Sequence, residues 1–541
     1  MAQGQPKAFT AAALGMVLIC GAIRLAGQRA VATWQYNRRR TGANLQERRL
    51  TPANVNPRQF GKLFRLAVDG AVYAQPLYRA GVAIPGRGRH NVLYLATEGD
   101  SVYAFDAGGH PRQPLWHDRF INPAEGVTTV TPAQIGCTQI TPQIGITATP
   151  VIDAQLGTLY VIVRTWERGR FVQRLHALDL RTGAEKADSP VRIEASAPGS
   201  GDGQRGGRVW FDPMRNNARA ALLDSGGIIY AAWASPCDAI PYHGWILGYD
   251  ARTLQRKRLL TPSPNSNDGG IWQSGAGLAA GRRGNIYAAI GNGGFDRSPA
   301  GADYGDSVIK LGAGGAAMPV LDFFCPFDHH ALNLADSDLG SGGPVLLPRR
   351  QLVVAGKSGT IYLLNRDALG GISAQDAKIV QAVRGQMGAE FGAPAWWNGN
   401  LYFAPAGQRM VQFQMRHGRL RPQPVARTRE KFYYPGATPA LSANGRRAAI
   451  VWALQLGAYA RTSQAAVLHA YDARNLGREL YSSAWHPRRD TPGREVKFAP
   501  PLVVNGRVYA PTANGVAVYG LFSEWRGRSR PTKSGRRRAR R

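Results

Sequence analysis

A unit of roughly 50 to 70 residues recurs along this chain, and a repeat of that period restricts the fold more than any other feature. Each copy has a short apolar strand, a glycine turn, a second strand with a central tyrosine, another turn, and a third strand that often ends in aspartate. The first copy is centred on residues 93–97 and ends at Asp106, and the second is centred on residues 159–161 and ends at Asp179. Repeats of this length indicate a propeller or a solenoid rather than several unrelated domains.

Eight copies of this unit lie between residues 61 and 522. The six later copies are centred on residues 229–230, 286–287, 352–353, 401–402, 450–452 and 508–509. Each copy has three clear strands and a weaker fourth, as at residues 114–117, and a four-stranded sheet per repeat is the blade of a propeller. The sequence therefore predicts an all-β protein with a single closed β-propeller of about eight four-stranded blades.

The last unit ends after its third strand, at Leu521. We expect residues 62–66, which precede the first unit, to supply the missing strand. Pairing the two ends of the chain closes the ring and removes exposed sheet edges. Two stacked β-sandwiches would fit the strand lengths, but they would not explain the recurring positions of tyrosine and aspartate.

The two ends of the chain differ in composition from the repeats. Residues 1–32 contain Lys7, a mostly apolar stretch over residues 8–23, and the small residues 30–32, which predicts an export signal or, without cleavage, an N-terminal membrane anchor. We therefore expect a periplasmic, extracellular or membrane-anchored protein. Residues 33–60 form a lead-in segment, and residues 523–541 are predicted to be a basic disordered tail.

The formal net charge of +32 raises the question of an anionic partner, such as envelope polymer, lipid headgroups or nucleic acid. Arginines are scattered over every segment, which favours a solvated basic surface over a nucleic-acid site. The basic tail remains a candidate tether to an anionic envelope surface. We expect a monomer, since a closed ring has no free sheet edge.

The chain has four cysteines, of which Cys20 lies in the predicted signal. Cys137 and Cys237 lie in long insertions of neighbouring units, and export would place them in an oxidising compartment. We predict a disulfide between these two residues, which leaves Cys325 as a free thiol.

The repeated strands that end in aspartate, together with residues 356–366 (GKSGTIYLLNR), resemble the pyrroloquinoline-quinone (PQQ) propeller repeats. The resemblance extends from about residue 34 to residue 521. Such repeats occur in quinoprotein alcohol dehydrogenases and in non-enzymatic envelope scaffolds. The resemblance therefore implies the fold, and it leaves two classes of function open.

The long fourth unit carries the local similarity to the dehydrogenases. The resemblance implies that Asn292 is a calcium ligand, that Asp336 is the catalytic carboxylate and that Lys357 contacts the quinone, while Trp272 suits the flat floor beneath such a cofactor. In that chemistry a carboxylate takes the hydroxyl proton, and hydride passes to a quinone polarised by a hard cation. PQQ and calcium are thus the expected cofactors of the dehydrogenase alternative.

Three features of those dehydrogenases are missing from the sequence. There is no pair of adjacent cysteines, no Cys-x-x-Cys-His motif, and no clear acidic calcium ligand in residues 199–203. We therefore favour a non-enzymatic envelope protein that binds a protein, glycan or small molecule at one rim of the ring. A PQQ- and calcium-dependent dehydrogenase acting on an alcohol or sugar is the alternative.

Histidines provide two further candidates. His243 lies between two aromatic residues and is a candidate for the rim, although a structural hydrogen bond is the favoured role. His329 and His330 are adjacent, and neighbouring residues of a strand point to opposite faces. We therefore do not expect both to bind one metal ion.

Overall fold

The repeated strands form a ring of eight four-stranded antiparallel blades, as the sequence predicts. The structure is a computed structural model, and it describes Met1 and residues 28–296, 302–315, 318–457 and 464–526. From the channel outward, blades 1 to 4 comprise Leu77–Ile84, Gly88–Thr97, Ser101–Asp106 and Trp116–Arg119; Val151–Asp153, Thr158–Glu167, Arg170–Asp179 and Val191–Arg192; Asn217–Ser225, Ile228–Ala234, Trp245–Asp250 and Arg256–Leu260; and Ala279–Ala280, Ile286–Ala289, Val308–Leu311 and Val320–Phe324. Blades 5 to 8 comprise Val345–Leu346, Gln351–Ala355, Ile361–Asn365 and Gln381–Val383; Ala395–Trp397, Asn400–Phe403, Gln408–Arg416 and Ala426–Phe432; Ala440–Asn444, Arg447–Gln455, Val467–Asp472 and Asn475–Ser482; and Leu502–Val504, Arg507–Thr512, Gly515–Leu521 and Phe60–Ala67.

The insertions between these strands carry short elements. Further strands are Val127–Thr129, Ser196–Pro198, Arg208–Trp210, Phe295–Asp296, Asp303–Tyr304 and Arg419–Leu420. The α-helices are Pro132–Ile135, His329–Leu334, Pro487–Asp490 and Phe522–Arg526, and the 3-10 helices are Trp34–Tyr36, Pro123–Glu125, Pro236–Asp238, Gln273–Gly275, Leu339–Ser341, Ala374–Asp376 and Ser483–Trp485. No helix among the described residues has the length and apolar character needed to span a bilayer.

The ring closes as predicted, because the N-terminal strand pairs with the last strand of the final unit. Phe60–Ala67 lies antiparallel to Gly515–Leu521, and a bulge follows Lys62. Phe64 of this strand packs into the apolar layer between blades 8 and 1. The same kind of buried layer separates the other neighbouring blades, so the core is divided into wedges around the ring.

A recurring tyrosine and aspartate couple four pairs of neighbouring blades in the described chain. The tyrosine of the second strand donates a hydrogen bond to a backbone carbonyl that directly follows the aspartate of the neighbouring blade. The pairs are Tyr94 with Leu180, Tyr160 with Ala251, Tyr402 with Ala473 and Tyr509 with Ala107. The last pair crosses the closure, and the aspartates accept hydrogen bonds from their own turns, as at Asp106 and Asp250.

The lead-in segment, which the sequence did not place, runs through the central channel. Residues 30–44 contact the innermost strand of every blade within the described chain. The contacts are Val31 with Tyr78, Ala32 with Ile152, Arg40 with Leu222, Arg38 with Ala280, Arg39 with Leu346, Thr41 with Trp396, Gly42 with Leu441, and Tyr36 with Val503. The segment satisfies backbone groups that would otherwise face the channel unpaired.

Arg40 is the fully buried centre of this segment. Its guanidinium donates to the carbonyl oxygens of Leu222 (3.2 Å) and Leu278 (2.9 Å), which belong to different blades. It also donates to Thr33 Oγ1 and to the carbonyl of Trp34 within the segment. Burial lowers the pKa of Arg40 to about 9, so the side chain stays charged at neutral pH.

Two predicted boundaries need adjustment. Ala30–Val31, at the end of the predicted signal, forms a strand against Leu77–Ile84. Cleavage after Ala32 would therefore remove a paired strand. Residues 2–27 lie outside the described part. The tail was predicted to begin at residue 523, which is wrong, because the helix Phe522–Arg526 packs against the ring through Trp525, stacked on Phe64 at 5.1 Å. Residues 527–541 lie outside the described part.

We predict that Arg40→Ala strongly destabilises the ring. The change leaves at least two buried carbonyls of different blades without their donor, and the loss of such bonds costs about 3 kcal/mol or more. Urea unfolding followed by tryptophan fluorescence measures the effect. Arg38→Ala removes an exposed side chain from the same segment and serves as the control. Equal stability of the two variants would show that Arg40 does not hold the blades together.

Candidate functional site

A cavity of about 310 Å³ opens at the end of the channel where the innermost strands begin. Loops that enter these strands, and loops between the second and third strands, form its wall. Its polar and charged lining includes Gln139, Asn217, Arg219, Asp238, Asn292, Asp336, Asp338, Lys357 and Lys497, and its aromatic lining is Tyr242, Trp272, Phe391, Tyr434 and Phe498. The lead-in segment contacts the innermost strands farther along the channel. The structure thus brings Trp272, Asn292, Asp336 and Lys357, the four predicted site residues, into one cavity.

Lys357 lies between two carboxylates. Its Nζ is 2.5 Å from Asp336 Oδ1 and 2.7 Å from Asp338 Oδ2. Asn292 Nδ2 donates to the same oxygen of Asp336 at 2.8 Å, and Trp272 Nε1 donates to Asp338 Oδ1 at 3.1 Å. We call these five residues the acidic wall.

The two carboxylates of the acidic wall differ in exposure. The side chain of Asp336 is 69% exposed, whereas that of Asp338 is 3% exposed. Burial raises the pKa of Asp338, and Lys357 offsets part of that shift. Burial would lower the pKa of Lys357, but attraction to Asp338 and Asp336 raises it overall. Lys357 is therefore a cation that Asp338 fixes in place, and Asp336 is the carboxylate open to a ligand.

Close backbone packing positions the acidic wall. A Cβ on Gly340 would lie 2.3 Å from the backbone nitrogen of Gly291, so glycine at residue 340 lets the loop that carries Asn292 approach Asp338. The backbone nitrogen of Lys357 also donates to the carbonyl of Asp338. Leu339 N donates to the Asp306 carboxylate, whose pKa is raised to about 7 by burial and by Asp338.

Aromatic side chains form the middle of the cavity. The Trp272 ring contacts Phe391 at 6.0 Å and Phe498 at 6.2 Å, both edge to face, and Phe391 contacts Tyr434 at 5.4 Å. Lys357 Nζ lies 5.6 Å from the centre of the Trp272 ring. Flat apolar surface therefore adjoins the charged groups of the acidic wall.

Arg219 and Lys497, which we call the basic wall, lie beside Phe498. The Arg219 guanidinium is 4.9 Å from the Phe498 ring centre and 5.3 Å from that of Tyr73, and Lys497 Nζ is 5.7 Å from Phe498. Both cationic residues are about nine-tenths buried. Burial, with a smaller contribution from Arg219, lowers the pKa of Lys497 to about 7.

A disulfide joins Cys137 to Cys237, the pair for which the sequence predicts one, and both residues line the cavity. The bond connects the loop that enters blade 2 with the loop after the second strand of blade 3. Cys325 is buried and free, also in line with the sequence, and burial raises the pKa of its thiol.

The structure does not place the predicted histidines in the cavity lining. His243 is buried, and its ring nitrogens lie 2.8 Å from the carbonyl oxygens of Ser263 and Asp202, which is the structural role that we favoured. His329 and His330 begin the helix His329–Leu334, so placing them on a strand was wrong. No group of three or more His, Cys, Asp or Glu in the described chain is arranged to hold a metal ion.

Sequence reasoning missed several lining residues. Asp238, beside the disulfide, lines the cavity, and burial raises its pKa, whereas residues 199–203 are not part of the lining. The missed residues Phe391, Tyr434 and Phe498 lie four to six residues before an innermost strand, and the predicted Trp272 lies seven residues before one. Aligning the eight units on those strands would have shown that this position lines the channel mouth.

Comparisons with known proteins show the fold. No family model and no curated protein matches the chain. Among solved structures, a quinohemoprotein alcohol dehydrogenase from Pseudomonas putida HK5 has a TM-score of 0.56 at 13% identity, covering 94% of this chain and 82% of its own. A europium-containing methanol dehydrogenase has a TM-score of 0.55 at 12% identity, covering 91% and 98%. BamB from Moraxella catarrhalis has a TM-score of 0.49 at 14% identity, covering 85% and 99%. The first two similarities show that the chain has the propeller fold of these dehydrogenases.

The lining residues fit the two expected cofactors differently. An aromatic floor flanked by cationic side chains suits a flat quinone such as PQQ, which carries carboxylates. Calcium fits less well, because the ammonium group of Lys357 already contacts Asp336 and Asp338. As arranged, these residues do not provide a calcium site, because the positive charge beside the two aspartates belongs to Lys357.

We predict that Lys497→Met stabilises the protein at pH 6.5 and that the gain shrinks towards pH 9.5. The pKa of Lys497 in the folded protein, about 7, is below its ordinary value of 10.5. Protonation of this lysine therefore destabilises the folded state relative to the unfolded state. This cost is complete below about pH 7 and disappears as pH rises through the window between the two pKa values. Thermal unfolding at both pH values measures the difference, and a gain that is independent of pH would contradict the assignment.

Proposed function

We propose that this protein is an exported propeller that binds a planar quinone-class cofactor in the cavity at the channel mouth. The observation that supports the proposal is the convergence of Trp272, Asn292, Asp336 and Lys357 at that cavity, although they lie in separate segments of the sequence. A protein that acted only as a scaffold through its outer surface would not need this arrangement. We therefore favour a small-molecule binding site over a scaffold that acts only through its rim.

Each residue of the acidic wall has a distinct role in this proposal. Trp272 presents an apolar surface to the quinone ring, and Lys357 provides the positive charge beside a quinone oxygen. Asp338, buried and bonded to both Trp272 and Lys357, is a positioning residue. Asp336 is open to the cavity and is oriented by Asn292.

Oxidation of a small hydroxyl compound is the reaction that this set of residues supports. A bound quinone would accept the hydride from the carbon that carries the hydroxyl group. Asp336 would accept the hydroxyl proton, since its carboxylate is exposed and its neighbours hold it in place. The product would be the corresponding carbonyl compound, and an external dye or acceptor would take up the two electrons removed from the substrate.

The decisive experiment is reconstitution of the purified protein with PQQ, with and without calcium. We expect quenching of Trp272 fluorescence on binding and dye-linked oxidation of some alcohols or sugars. Asp336→Asn should lower turnover by about 100-fold or more while quinone binding persists, because only the proton acceptor is lost. Lys357→Ala should weaken quinone binding itself.

Asp367→Asn provides the matched control, since this exposed aspartate forms a surface ion pair with Arg350 away from the cavity. It should leave both binding and turnover unchanged. A wild-type protein that binds no quinone under either condition would contradict the proposal and favour the rim scaffold instead. Binding without turnover would retain the cofactor site and exclude the oxidation.

A further inference from the structure

A second group of polar side chains lies behind the aromatic floor of the cavity, and the proposed function does not use it. Gln273 follows Trp272 and Glu390 precedes Phe391, and the rings of Trp272 and Phe391 line the cavity and contact each other. In the part of the chain that the structure describes, neither Gln273 nor Glu390 belongs to the lining, and both are fully buried. These two side chains therefore lie on the far side of the floor.

Hydrogen bonds join the loops that carry these two residues. Ser341 Oγ donates to the carbonyl of Glu390 at 2.9 Å, and Ser274 Oγ donates to the carbonyl of Ser341 at 2.8 Å. Ser274 directly follows Gln273 in the chain. The loop that enters blade 4 is thus tied to the loop that enters blade 6.

Gln35 of the lead-in segment and Thr438, before the innermost strand of blade 7, lie beside these loops. Gln35 Nε2 donates to the carbonyl of Pro439 at 3.1 Å, which places Gln35 next to Thr438. A Cβ on Gly392 would clash with Thr438 Oγ1, so Thr438 adjoins the loop that carries Glu390. The group that we call the channel layer consists of Gln35, Gln273, Glu390 and Thr438.

The channel layer contains buried polar atoms that have no hydrogen-bond partner in the described chain. These atoms are both carboxylate oxygens of Glu390, both amide atoms of Gln273, Gln35 Oε1 and Thr438 Oγ1. None of the four side chains belongs to a residue that is more than 4% exposed. Polar atoms buried this deeply pair with protein, with ordered water or with an ion.

The charge of Glu390 determines which partner is needed. An ionised carboxylate is very costly to bury without a counter-charge, and burial raises the pKa of Glu390. Ordered water can satisfy the amides and the hydroxyl, but it leaves that charge unbalanced. Carboxylate, amide and hydroxyl oxygens are the ligands that hard cations take in proteins. A single carboxylate balances a single positive charge, which suits a monovalent ion.

We infer that the channel layer binds a monovalent cation such as K⁺ or Na⁺, with Glu390 as its counter-ion. Gln35, Gln273 and Thr438 supply neutral oxygen ligands. The ion links the lead-in segment to the loops that enter blades 4, 6 and 7. The site lies apart from the acidic wall and involves no redox chemistry, so it can be tested whether or not the protein binds a quinone.

Thermal unfolding in potassium, sodium or N-methylglucamine chloride at equal ionic strength tests the site. Potassium or sodium should raise the melting temperature by about 2 °C or more relative to the organic cation, because an ion that binds only the folded state stabilises it. Glu390→Gln keeps the shape of the side chain and removes its charge, so this variant should melt at one temperature in all three salts. Glu125→Gln removes the same charge from an exposed residue and should keep the wild-type response.

Thr438→Val provides a second variant, which removes one neutral ligand and leaves Glu390 in place. It should fold and show a smaller response to potassium or sodium than the wild type. If Glu390→Gln does not fold, the comparison of Thr438→Val with the wild type still decides the matter. An undiminished response in Thr438→Val or in Glu390→Gln would contradict the inference.

Equilibrium dialysis with radioactive sodium or with rubidium, a substitute for potassium, measures binding directly. The wild type should take up about one ion per chain, because one carboxylate supplies the counter-charge. The formal net charge of +32 disfavours non-specific uptake of cations by the surface. No uptake of either ion, together with a melting temperature that is the same in all three salts, would show that a proton neutralises Glu390 and would overturn the inference.

Discussion

The ring depends on the pairing of residues 30–44 with the innermost strands of the eight blades. Several of those strands are short, as in Val345–Leu346, and one edge of each innermost strand faces a narrow channel. Unpaired backbone groups at such an edge are costly when water is scarce. One segment with Arg40 at its centre satisfies groups from opposite sides of the ring, and Phe60–Ala67 then closes it. The N-terminal part of the chain therefore both fills the channel and completes the last blade.

This arrangement also explains where the cavity lies. The lead-in segment occupies one part of the channel, so the remaining open volume is at the end where the innermost strands begin. The residues just before those strands come from different blades and converge there. Long insertions then cover the opening, and the disulfide between Cys137 and Cys237 ties two of them together. Sequence positions that are more than a hundred residues apart, such as Asp238 and Lys357, therefore share one site.

The repeat made the fold predictable, because a tyrosine and an aspartate recur from unit to unit, as Tyr94 and Asp106 do in the first, and they couple several neighbouring blades. Trp272, Asn292, Asp336 and Lys357 could be singled out by resemblance to a family with a known site. The path of the lead-in segment was not predictable, since it follows no period and has partners in every blade. Lys497 was missed for a similar reason, because one lysine in a basic chain gives no signal until folding buries it.

The cavity gains its chemical character at a cost to stability. Asp338 and Lys357 offset each other's burial, but Lys497 and Arg219 have the same charge and lie side by side. An apolar pair at these positions would pack without repulsion, and a merely structural channel mouth would be filled in that way. The cavity at the channel mouth therefore combines a fixed lysine, an exposed carboxylate and aromatic surface, the groups on which the proposed quinone site depends.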